Sequence, residues 1–156
     1  STMLSARLCF LLLLGILGTA TSFQAPPAGF TRAQWFEVQH INMTHSRCDN
    51  AMRVVNRYRG YCKGKNTFLH VTFVDAVNTC HNPNIPCTAG GRQNCHRSST
   101  QVPLTDCDLT RNSSNIRQCQ YRRRRKTKFY VIACDPRSPR DPPSYPIVPV
   151  HLNGTV

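Results

Sequence analysis

The stretch FTRAQWFEVQH, residues 30–40, has the pattern of a helix start. Thr31 is followed three residues later by Gln34, which is the spacing of a capping box. In a capping box each of the two side chains accepts a hydrogen bond from the other residue's backbone N–H, so two donors of the first helical turn find partners. We therefore expect a helix that begins at Arg32.

The aromatic residues of this stretch indicate how the helix packs. Phe30 and Trp35 stand at the two positions of a hydrophobic staple, and we favour this role for Trp35 over that of a platform on which a base stacks. Phe36 and His40 are four residues apart and share one helix face. If Phe36 anchors the helix to the core, His40 lies at the edge of the buried surface.

Two further helices are predicted in the first half of the chain. CDNAMRVVNRYRGYC has apolar residues at helical spacing, which predicts a helix from about Asp49 to Arg59 that ends at Gly60. NTFLHVTF alternates like a strand in its first half, and FVDAVNTC, residues 73–80, predicts a third short helix.

From Cys95 onward the residues that favour strands and turns predict a run of antiparallel strands. The clearest are KFYVIAC, residues 128–134, and YPIVPVHL, residues 145–152. Pro146 and Pro149 favour an edge position for the last strand, because proline lacks the N–H that a central strand donates. Helices followed by strands indicate an α+β domain.

Residues 1–22 have the layout of a secretory signal peptide. Arg7 precedes an apolar run over residues 8–17, small residues follow, and the run is too short to span a bilayer. We expect cleavage after Ser22, or as late as Ala25, and a single small domain over residues 23–156.

The composition is strongly basic, with 20 Lys and Arg against 7 Asp and Glu and a formal net charge of +13. Arginine outnumbers lysine, and its planar guanidinium binds phosphate and sulfate through two hydrogen bonds at once. The expected partners are therefore polyanions, namely nucleic acids, sulfated sugars or anionic membranes.

The cysteines predict a disulfide framework. Of the 9 cysteines, Cys9 lies in the leader, and the even number that remains in a small exported domain predicts four disulfides, whose pairing the sequence does not fix. The competing interpretation is a zinc site, which the absence of a Cys-x-x-Cys pair disfavours. The remaining cysteines are Cys48, Cys62, Cys80, Cys87, Cys95, Cys107, Cys119 and Cys134. The sequons at Asn42, Asn112 and Asn153 are expected glycosylation sites and agree with export.

Three segments together, QHINM, CKGKNTF and PVHL, resemble motifs of the pancreatic-type ribonuclease superfamily. The eosinophil-associated branch of this superfamily is the most similar in sequence over four segments, FTRAQWFEVQH, NCHRS, VPLTDC and FYVIACD. The resemblance extends from Phe30 to Leu152. It implies three short helices, a V-shaped, strongly bent antiparallel sheet and four disulfides. The implied pairs are Cys48 with Cys107, Cys62 with Cys119, Cys80 with Cys134, and Cys87 with Cys95.

The resemblance also implies an active site that needs no metal or other cofactor. By motif match His40 and His151 are the general base and acid, and Lys63 is the cation beside the phosphate. The implied substrate-binding residues are Gln39 at the phosphate, Thr67 and Asp106 at a pyrimidine, and Asn94 at the base on the other side of the scissile bond. The remaining histidines, His45, His70, His81 and His96, are assigned to structural or solvent-facing positions.

Cleavage of RNA requires a proton acceptor, a proton donor and a cation, which two histidines and a lysine can supply. When RNA is cleaved by its own 2′-hydroxyl, a base removes that proton and an acid protonates the departing 5′-oxygen. Two imidazoles suit both roles near neutral pH, and we expect a bell-shaped dependence of rate on pH. A lysine offsets the negative charge that builds on the phosphoryl oxygens in the transition state.

Two features depart from the family pattern. Asn153 stands where the family usually has an Asp that orients the last histidine, which predicts a weaker acid and a lower rate. Trp35 and Val38 occupy helix positions that carry phosphate-binding cations in pancreatic members. We therefore expect a long substrate to be held elsewhere. The obvious substitutes are Arg122, Arg123, Arg124, Arg125, Lys126 and Lys128, although this run is also typical of a solvated hairpin loop.

The leading functional hypothesis is a secreted, monomeric endoribonuclease that prefers pyrimidines in single-stranded RNA and serves host defence. The resemblance further implies binding by the cytosolic ribonuclease inhibitor and storage in leukocyte granules. The alternative is a cationic antimicrobial or glycosaminoglycan-binding protein with weak or vestigial ribonuclease activity, whose charge acts on anionic microbial membranes.

Overall fold

A computed structural model describes residues 25–88 and 91–156, so the expected leader at residues 1–22 lies outside the described residues. Within these described ranges, no helix is long and apolar enough to cross a membrane.

The first helix begins where its capping residues predict. In α1 (Arg32–Phe36) the Thr31 hydroxyl accepts a hydrogen bond from the backbone N–H of Gln34 at 3.1 Å. The backbone N–H of Thr31 donates to Oε1 of Gln34 at 2.8 Å, so the capping box is confirmed. The helix continues directly as one π-helical turn (Glu37–Ile41), which keeps the chain helical through the residues of the candidate site.

The aromatic contacts of α1 also agree with the sequence. The rings of Phe30 and Trp35 meet edge to face with centroids 5.6 Å apart, and Trp35 is only 5% exposed. The staple is confirmed, because a ring this deeply buried packs the helix and leaves little surface for a base. The rings of Phe36 and His40 lie 5.4 Å apart, so the two residues share the buried face of the helix as predicted.

The second and third helices match their predictions closely. α2 (Cys48–Arg59) ends at Gly60, whose φ of 80° is a left-handed conformation that glycine adopts without strain. Its N–H donates to the carbonyl of Asn56 at 2.8 Å and satisfies one carbonyl at the helix end. α3 (Phe73–Thr79) has a capping box of its own at the N-terminus.

Six strands form two three-stranded antiparallel sheets. The first sheet has the order β1-β3-β4 and the second the order β2-β5-β6. The strands are β1 (Lys65–Leu69), β2 (Cys95–Arg97), β3 (Val102–Arg111), β4 (Gln120–Lys128), β5 (Tyr130–Pro136) and β6 (Ile147–Thr155). A short 3-10 helix (Ile116–Gln118) precedes β4. The α+β class is therefore confirmed.

β4 of the first sheet and β5 of the second are joined through one residue. The predicted strand KFYVIAC is divided, because Lys128 ends β4 and β5 begins only at Tyr130. Phe129, between them, exchanges two backbone hydrogen bonds of 2.9 Å with Val156. The chain thus passes from one sheet to the other at Phe129, and the bend falls inside the predicted strand.

The last strand is an edge strand, as its prolines predict. β6 pairs with β5 on one side only, and Pro149 lies opposite Cys134 at a place where the register shifts. A second shift follows: Leu152 pairs with Ile132 and Gly154 with the preceding Val131, so one extra residue bulges out of the strand between them. That bulged residue is Asn153, so the departure from the family pattern falls on a local irregularity of the strand.

The hydrophobic core has two main parts. One joins α1, α3 and both sheets and contains Phe36, Leu69, Ala76, Leu104, Tyr130 and Ile132. The other packs α2 against the first sheet through Trp35, Ala51, Met52, Val55 and Phe68. Because Phe36 and Trp35 belong to different parts, α1 is fixed on two sides, and the position of its last turn is well determined.

All of the cysteines in the described residues are paired in disulfides, so none of these is available for zinc. The four bonds join Cys48 to Cys107, Cys62 to Cys119, Cys80 to Cys134 and Cys87 to Cys95, the pairs that the resemblance implies. Across the described parts of the chain, no three His, Cys, Asp or Glu side chains are grouped to hold a metal ion.

The interpretation of the arginine run as a hairpin loop is wrong. The run lies in β4, where every residue pairs with β3. Successive side chains of a strand point to opposite faces, so Arg122, Arg124 and Lys126 lie on one face of the sheet and Arg123 and Arg125 on the other. The composition of the run does not predict a strand, because arginine has no strong strand preference. β4 forms because it pairs with β3.

Candidate active site

The position of His40 is set by the last turn of the first helix and by β1. Its Nδ1 lies 2.8 Å from the backbone carbonyl of Thr67. A carbonyl only accepts, so Nδ1 carries the proton and Nε2 keeps its lone pair. The amide nitrogen of Gln39 lies 3.0 Å from this Nε2 and can donate to it. His40 therefore presents an unprotonated nitrogen at the candidate site.

Lys63 is joined to His40 through Gln39. Its ammonium donates to Oε1 of Gln39 and to Oδ1 of Asn66, both at 2.9 Å. Asn66 in turn donates from its amide nitrogen to the backbone carbonyl of Gln39 at 2.8 Å. The resulting network holds the lysine, the glutamine and the last turn of the first helix in one arrangement.

The backbone of Lys63 is fixed by two buried polar side chains. Its N–H donates to Oδ1 of Asn56, a residue of α2 that is 0% exposed, at 3.0 Å. Its carbonyl accepts from the hydroxyl of Tyr121 in β4 at 2.5 Å, and the same hydroxyl accepts from the amide of Asn56 at 3.0 Å. A helix and a strand therefore both position the lysine.

His151 comes to the site from β6, where it pairs with Ala133 of β5. The positive charges of Lys63 and Arg32 both act on it, and His151 in turn acts on His40. The two histidines and Lys63, from the first helix, the last strand and the loop after α2, are thus close enough to interact electrostatically.

Burial and neighbouring charges shift the pKa of each member of this trio. Burial, with the charges of Lys63 and His151, lowers the pKa of His40 to about 3, against a smaller opposing effect of the Thr67 hydrogen bond. Burial and the charges of Lys63 and Arg32 also lower the pKa of His151. Burial and the charge of Arg59 lower the pKa of Lys63 to about 8. At neutral pH His40 is therefore neutral and Lys63 is mostly charged.

A second network lies beside Thr67. The hydroxyl of Thr67 donates to Oδ1 of Asp106 at 2.6 Å, and the ammonium of Lys126 lies 2.6 Å from Oδ2 of the same carboxylate. Burial opposes ionisation of Asp106, but the hydrogen bonds from Lys126 and Thr67 hold its pKa below the ordinary value. Lys126 is therefore engaged with Asp106, in contrast to the free polyanion-binding residue that the run suggests.

Asn94 lies on the other side of the site, in the second sheet. Its amide nitrogen donates to the carbonyl of Cys134 at 3.1 Å and to Oδ1 of Asp135 at 2.9 Å. Asp135 also forms ion pairs with Arg32 at 2.7 Å and Arg92 at 3.3 Å. The described geometry thus engages the donors of Asn94 within the protein, and its side chain must exchange partners to contact a base.

The side chain of Asn153 is turned away from a role as acceptor for His151. Its Oδ1 accepts from the backbone N–H of Thr88 at 3.2 Å and from the Thr88 hydroxyl at 3.1 Å. Within the described residues, the ring of His151 has no hydrogen-bond partner. The candidate acid is therefore positioned by its strand and by packing rather than by an orienting side chain.

The other histidines have the positions expected of structural or solvent-facing groups. His96 is buried, with Nδ1 2.7 Å from the carbonyl of Asn82, while His70 lies 2.7 Å from the hydroxyl of Thr105. His45 and His81 are exposed. Of the sequon asparagines, Asn42 and Asn112 are exposed and Asn153 is partly buried.

Three residues of the site were missed by sequence reasoning. Asn66 links Lys63 to the first helix, and only its place in the NTF motif next to Thr67 could have indicated it. Arg32 and Arg59 supply positive charge at His151 and at Lys63 respectively. No local pattern marks them, because their role depends on how distant segments meet.

A comparison with family models agrees with this arrangement. The model of the family described as pancreatic ribonuclease matches residues 31–153. The chain therefore belongs to the pancreatic ribonuclease family. Membership supports ribonuclease activity, with RNA as the substrate.

Proposed function

We propose that this protein is a secreted endoribonuclease that cleaves single-stranded RNA on the 3′ side of pyrimidines, through a 2′,3′-cyclic phosphate. The proposal rests on which ring nitrogen of His40 carries the proton. Its Nδ1–H is committed to the carbonyl of Thr67, so the unprotonated Nε2 faces the site shared with Lys63 and Gln39. Proton abstraction requires a nitrogen in this form.

In the proposed first step, Nε2 of His40 takes the proton of the ribose 2′-hydroxyl, and the 2′-oxygen forms a bond to phosphorus. The bond from phosphorus to the 5′-oxygen breaks, and that oxygen takes a proton from the charged ring of His151. In the second step the roles reverse. His151 takes a proton from water as the water oxygen bonds to phosphorus, the bond from phosphorus to the 2′-oxygen breaks, and His40 returns its proton to that oxygen, which leaves a 3′-phosphate.

Lys63 stabilises the charge on the phosphoryl oxygens in both steps. Its ammonium is held by Gln39 and Asn66, so little reorganisation is needed when the phosphate arrives. The amide of Gln39 lies against Nε2 of His40 in the free protein, and it must turn to the phosphate when the 2′-hydroxyl takes that place.

The pyrimidine preference is assigned to Thr67. In this proposal the backbone and the hydroxyl of Thr67 meet the pyrimidine edge beside His40, and the hydroxyl presents its oxygen as an acceptor because it donates its own proton to Asp106 at 2.6 Å. A pyrimidine edge fits such a pair, whereas a purine is larger. The leader at residues 1–22, together with the disulfides, supports export.

The test is cleavage of homopolymers by single variants. We expect the wild type to cleave poly(U) or poly(C) and to leave poly(A) largely intact, with a 2′,3′-cyclic phosphate as the first product. His40→Ala, Lys63→Ala and His151→Ala should each lower kcat/KM by about 100-fold or more. His81→Ala is the matched control, because it removes an exposed imidazole outside the network. A wild type that fails to cleave either pyrimidine polymer would overturn the proposal.

A specific observation also favours the second candidate function, a cationic host-defence protein. Arg122 and Arg125 lie on the exposed edge strand β4, and their side chains have no hydrogen bond or ion pair within the described residues. Such side chains are available to anionic membranes or glycosaminoglycans. Bacterial killing by His40→Ala at the wild-type level would show that the cationic activity is separable from RNA cleavage. A loss of killing together with cleavage would make the ribonuclease activity responsible for both.

A further inference from the structure

The loop that joins β5 to β6, residues 137–146, contacts the start of the first helix. Within the described residues its Asp141 is the one buried carboxylate, and it is only 4% exposed. This residue lies outside the catalytic trio, in the loop that leads to the proposed acid. A carboxylate is costly to bury unless hydrogen-bond donors replace its water. The partners of Asp141 therefore show which parts of the fold it holds together.

Two hydrogen bonds hold this carboxylate. Its Oδ1 accepts from the hydroxyl of Thr31 at 2.5 Å, and its Oδ2 accepts from the backbone N–H of Ser138 at 2.8 Å. The backbone N–H of Asp141 donates to the carbonyl of Ser138 at 2.9 Å, so the loop forms a turn around the side chain. Each carboxylate oxygen thus has a donor of its own, and hydrogen bonds to a carboxylate are stronger than those between neutral groups.

The hydroxyl of Thr31 bonds to the loop and to the helix at once. It donates its proton to Asp141, and it accepts from the backbone N–H of Gln34 at 3.1 Å, which is the capping bond of α1. A hydroxyl has one proton, so donation to Asp141 leaves its lone pairs for the helix. The loop before β6 and the start of α1 are therefore fixed to each other through one atom.

Two further contacts fasten the same region. The guanidinium of Arg140 donates to the carbonyl of Gly29 at 3.3 Å, and Arg32 forms an ion pair with Asp135 at 2.7 Å. Asp135 lies in β5 just before the loop, so the start of α1 is held both where the loop begins and near its middle. The first helix and β6 also pack directly against each other.

The proposed acid depends on this loop more than the proposed base does. His40 is fixed by its own hydrogen bond to the carbonyl of Thr67. His151 lacks an orienting side chain at Asn153, because the amide oxygen of that residue accepts from Thr88 instead. His151 also lies on an edge strand whose pairing shifts register before and after it. Strand pairing alone therefore leaves freedom in where the ring of His151 lies.

The distance between the two histidines matters, because in the proposed mechanism both act on one phosphate. Misplacement of a reacting group by about 1 Å can lower a rate by about 100-fold. Resting on the proposed function, we propose that Asp141 is a positioning residue for His151. By binding the hydroxyl of Thr31, it fixes the loop before β6 against the helical stretch that carries His40, and so sets the position of the acid relative to the base.

The test uses Asp141→Ala and Asp141→Asn. The first removes both acceptors, whereas the second keeps one oxygen and turns an N–H toward the other donor. Thr31→Val removes the partner hydroxyl with little change of shape, and Thr31→Ser keeps that hydroxyl. Asp75→Ala is the matched control, because Asp75 accepts from the N–H of Thr72 in the capping box of α3, a helix that carries no proposed catalytic residue.

Each variant is assayed on two substrates that differ in their leaving group. In a dinucleotide with uridine on the 5′ side the departing oxygen needs a proton, so both histidines are required. In uridine 3′-(4-nitrophenyl phosphate) the leaving group departs as a stable anion, so only the base is required. We expect the Asp141 variants and Thr31→Val to lower kcat about tenfold on the dinucleotide and less than about threefold on the aryl ester, with KM within about twofold.

The control variants define what a positioning role predicts. Asp75→Ala should match the wild type on both substrates, and Thr31→Ser should recover most of the rate that Thr31→Val loses. Thr31→Val combined with Asp141→Ala should lose no more than either alone, because both break the same contact. If Asp141→Ala fails to fold, Asp141→Asn and Thr31→Val provide the same comparison.

NMR of the histidine rings tests the link without catalysis. In Asp141→Asn the ring signals of His151 should shift or broaden, while those of His40 change little, and in Asp75→Ala neither should change. Ring signals of His151 that stay unchanged in Asp141→Asn would overturn the proposal.

The outcomes separate this proposal from that of ribonuclease activity. Equal losses on the two substrates would mean that Asp141 supports the base or the whole fold, and would overturn its assignment to His151. Unchanged rates in Asp141→Ala would overturn it as well. A wild type that cleaves neither substrate would overturn the ribonuclease proposal, and a shift of the His151 signals in Asp141→Asn would still support the link between the loop and the strand.

Discussion

The ring of His40 donates from Nδ1 to the backbone carbonyl of Thr67 at 2.8 Å, so a β-strand fixes the protonation pattern of a helical histidine. The contact couples two proposed functions that the sequence presents separately, because Thr67, which holds the proposed base, is also the residue assigned to the pyrimidine. A shift of β1 would therefore change both the reactivity of His40 and the position of the substrate base.

The first prediction concerns pH. His40 has a pKa of about 3, so in the proposed mechanism it can serve as the base above that value, while His151, the proposed acid, must be protonated and has a pKa below its ordinary 6.5. We expect kcat/KM, which reports the free enzyme, to be bell-shaped with its maximum below pH 7. Arg32→Gln removes a charge that lowers the pKa of His151 and should move the alkaline limb upward. A maximum above neutrality would contradict this assignment.

The second prediction concerns Arg59, which lies with its guanidinium 4.9 Å from the centre of the Trp35 ring. Its charge lowers the pKa of Lys63, after the larger effect of burial. Arg59→Ala should therefore raise the pKa of Lys63 toward its ordinary value without restoring it fully. The measurement is an NMR titration of the lysine side chain. Arg57→Ala, which removes a comparable stacked guanidinium beside Tyr58, should leave that pKa unchanged.

The third prediction concerns Asn153. Replacement by Ala removes both hydrogen bonds from Thr88 and should lower the free energy of unfolding by about 1 to 2 kcal/mol. Asn153→Asp keeps an oxygen acceptor in place and should lose less. Urea unfolding of the two variants provides the comparison, and equal losses would show that the Thr88 contacts do not stabilise the fold.

The fourth prediction concerns the disulfides, which close loops of very different length. Cys62 and Cys119 are 57 residues apart, whereas Cys87 and Cys95 are 8 apart. On the loop-entropy account, replacing the first pair by Ala should lower the free energy of unfolding by about 4 kcal/mol, and replacing the second by about 2 to 3 kcal/mol. Denaturant unfolding of both double variants measures the two losses of unfolding free energy. A larger loss for the pair Cys87 and Cys95 would indicate that packing in the native state outweighs loop entropy.

Local features of the fold were predictable from the sequence. The start of α1 at Arg32 and the end of α2 at Gly60 depend on residues within one turn, so a capping box and a glycine suffice to place them. The edge position of β6 follows from Pro149, because a missing N–H excludes a central strand whatever the partner. Phe36 and His40 share one helix face because they are four residues apart in the sequence.

Features that depend on pairing were not predictable in this way. A run of like charges does not reveal that two aspartates lie on the neighbouring strand. The ion pairs of Arg124 with Asp108 and of Lys126 with Asp106 were therefore not predictable. The side chain of Arg125, which forms no ion pair in the described residues, could not be distinguished from theirs. The bulge at Asn153 is likewise a matter of register between β5 and β6, which no short stretch of either strand contains. The motif resemblance indicates the site residues, and the structure adds how Asn66 and Lys126 connect them.

The arginines of β4 also bear on how concentrated solutions of the protein behave. A sheet edge exposes unpaired backbone groups to which a strand of another molecule can add, and both sheets have such an edge. On β4 the approach of a second copy would bring like charges together, and on β6 a proline interrupts the row of donors. These two of the four edge strands therefore disfavour the addition of a strand from a second molecule.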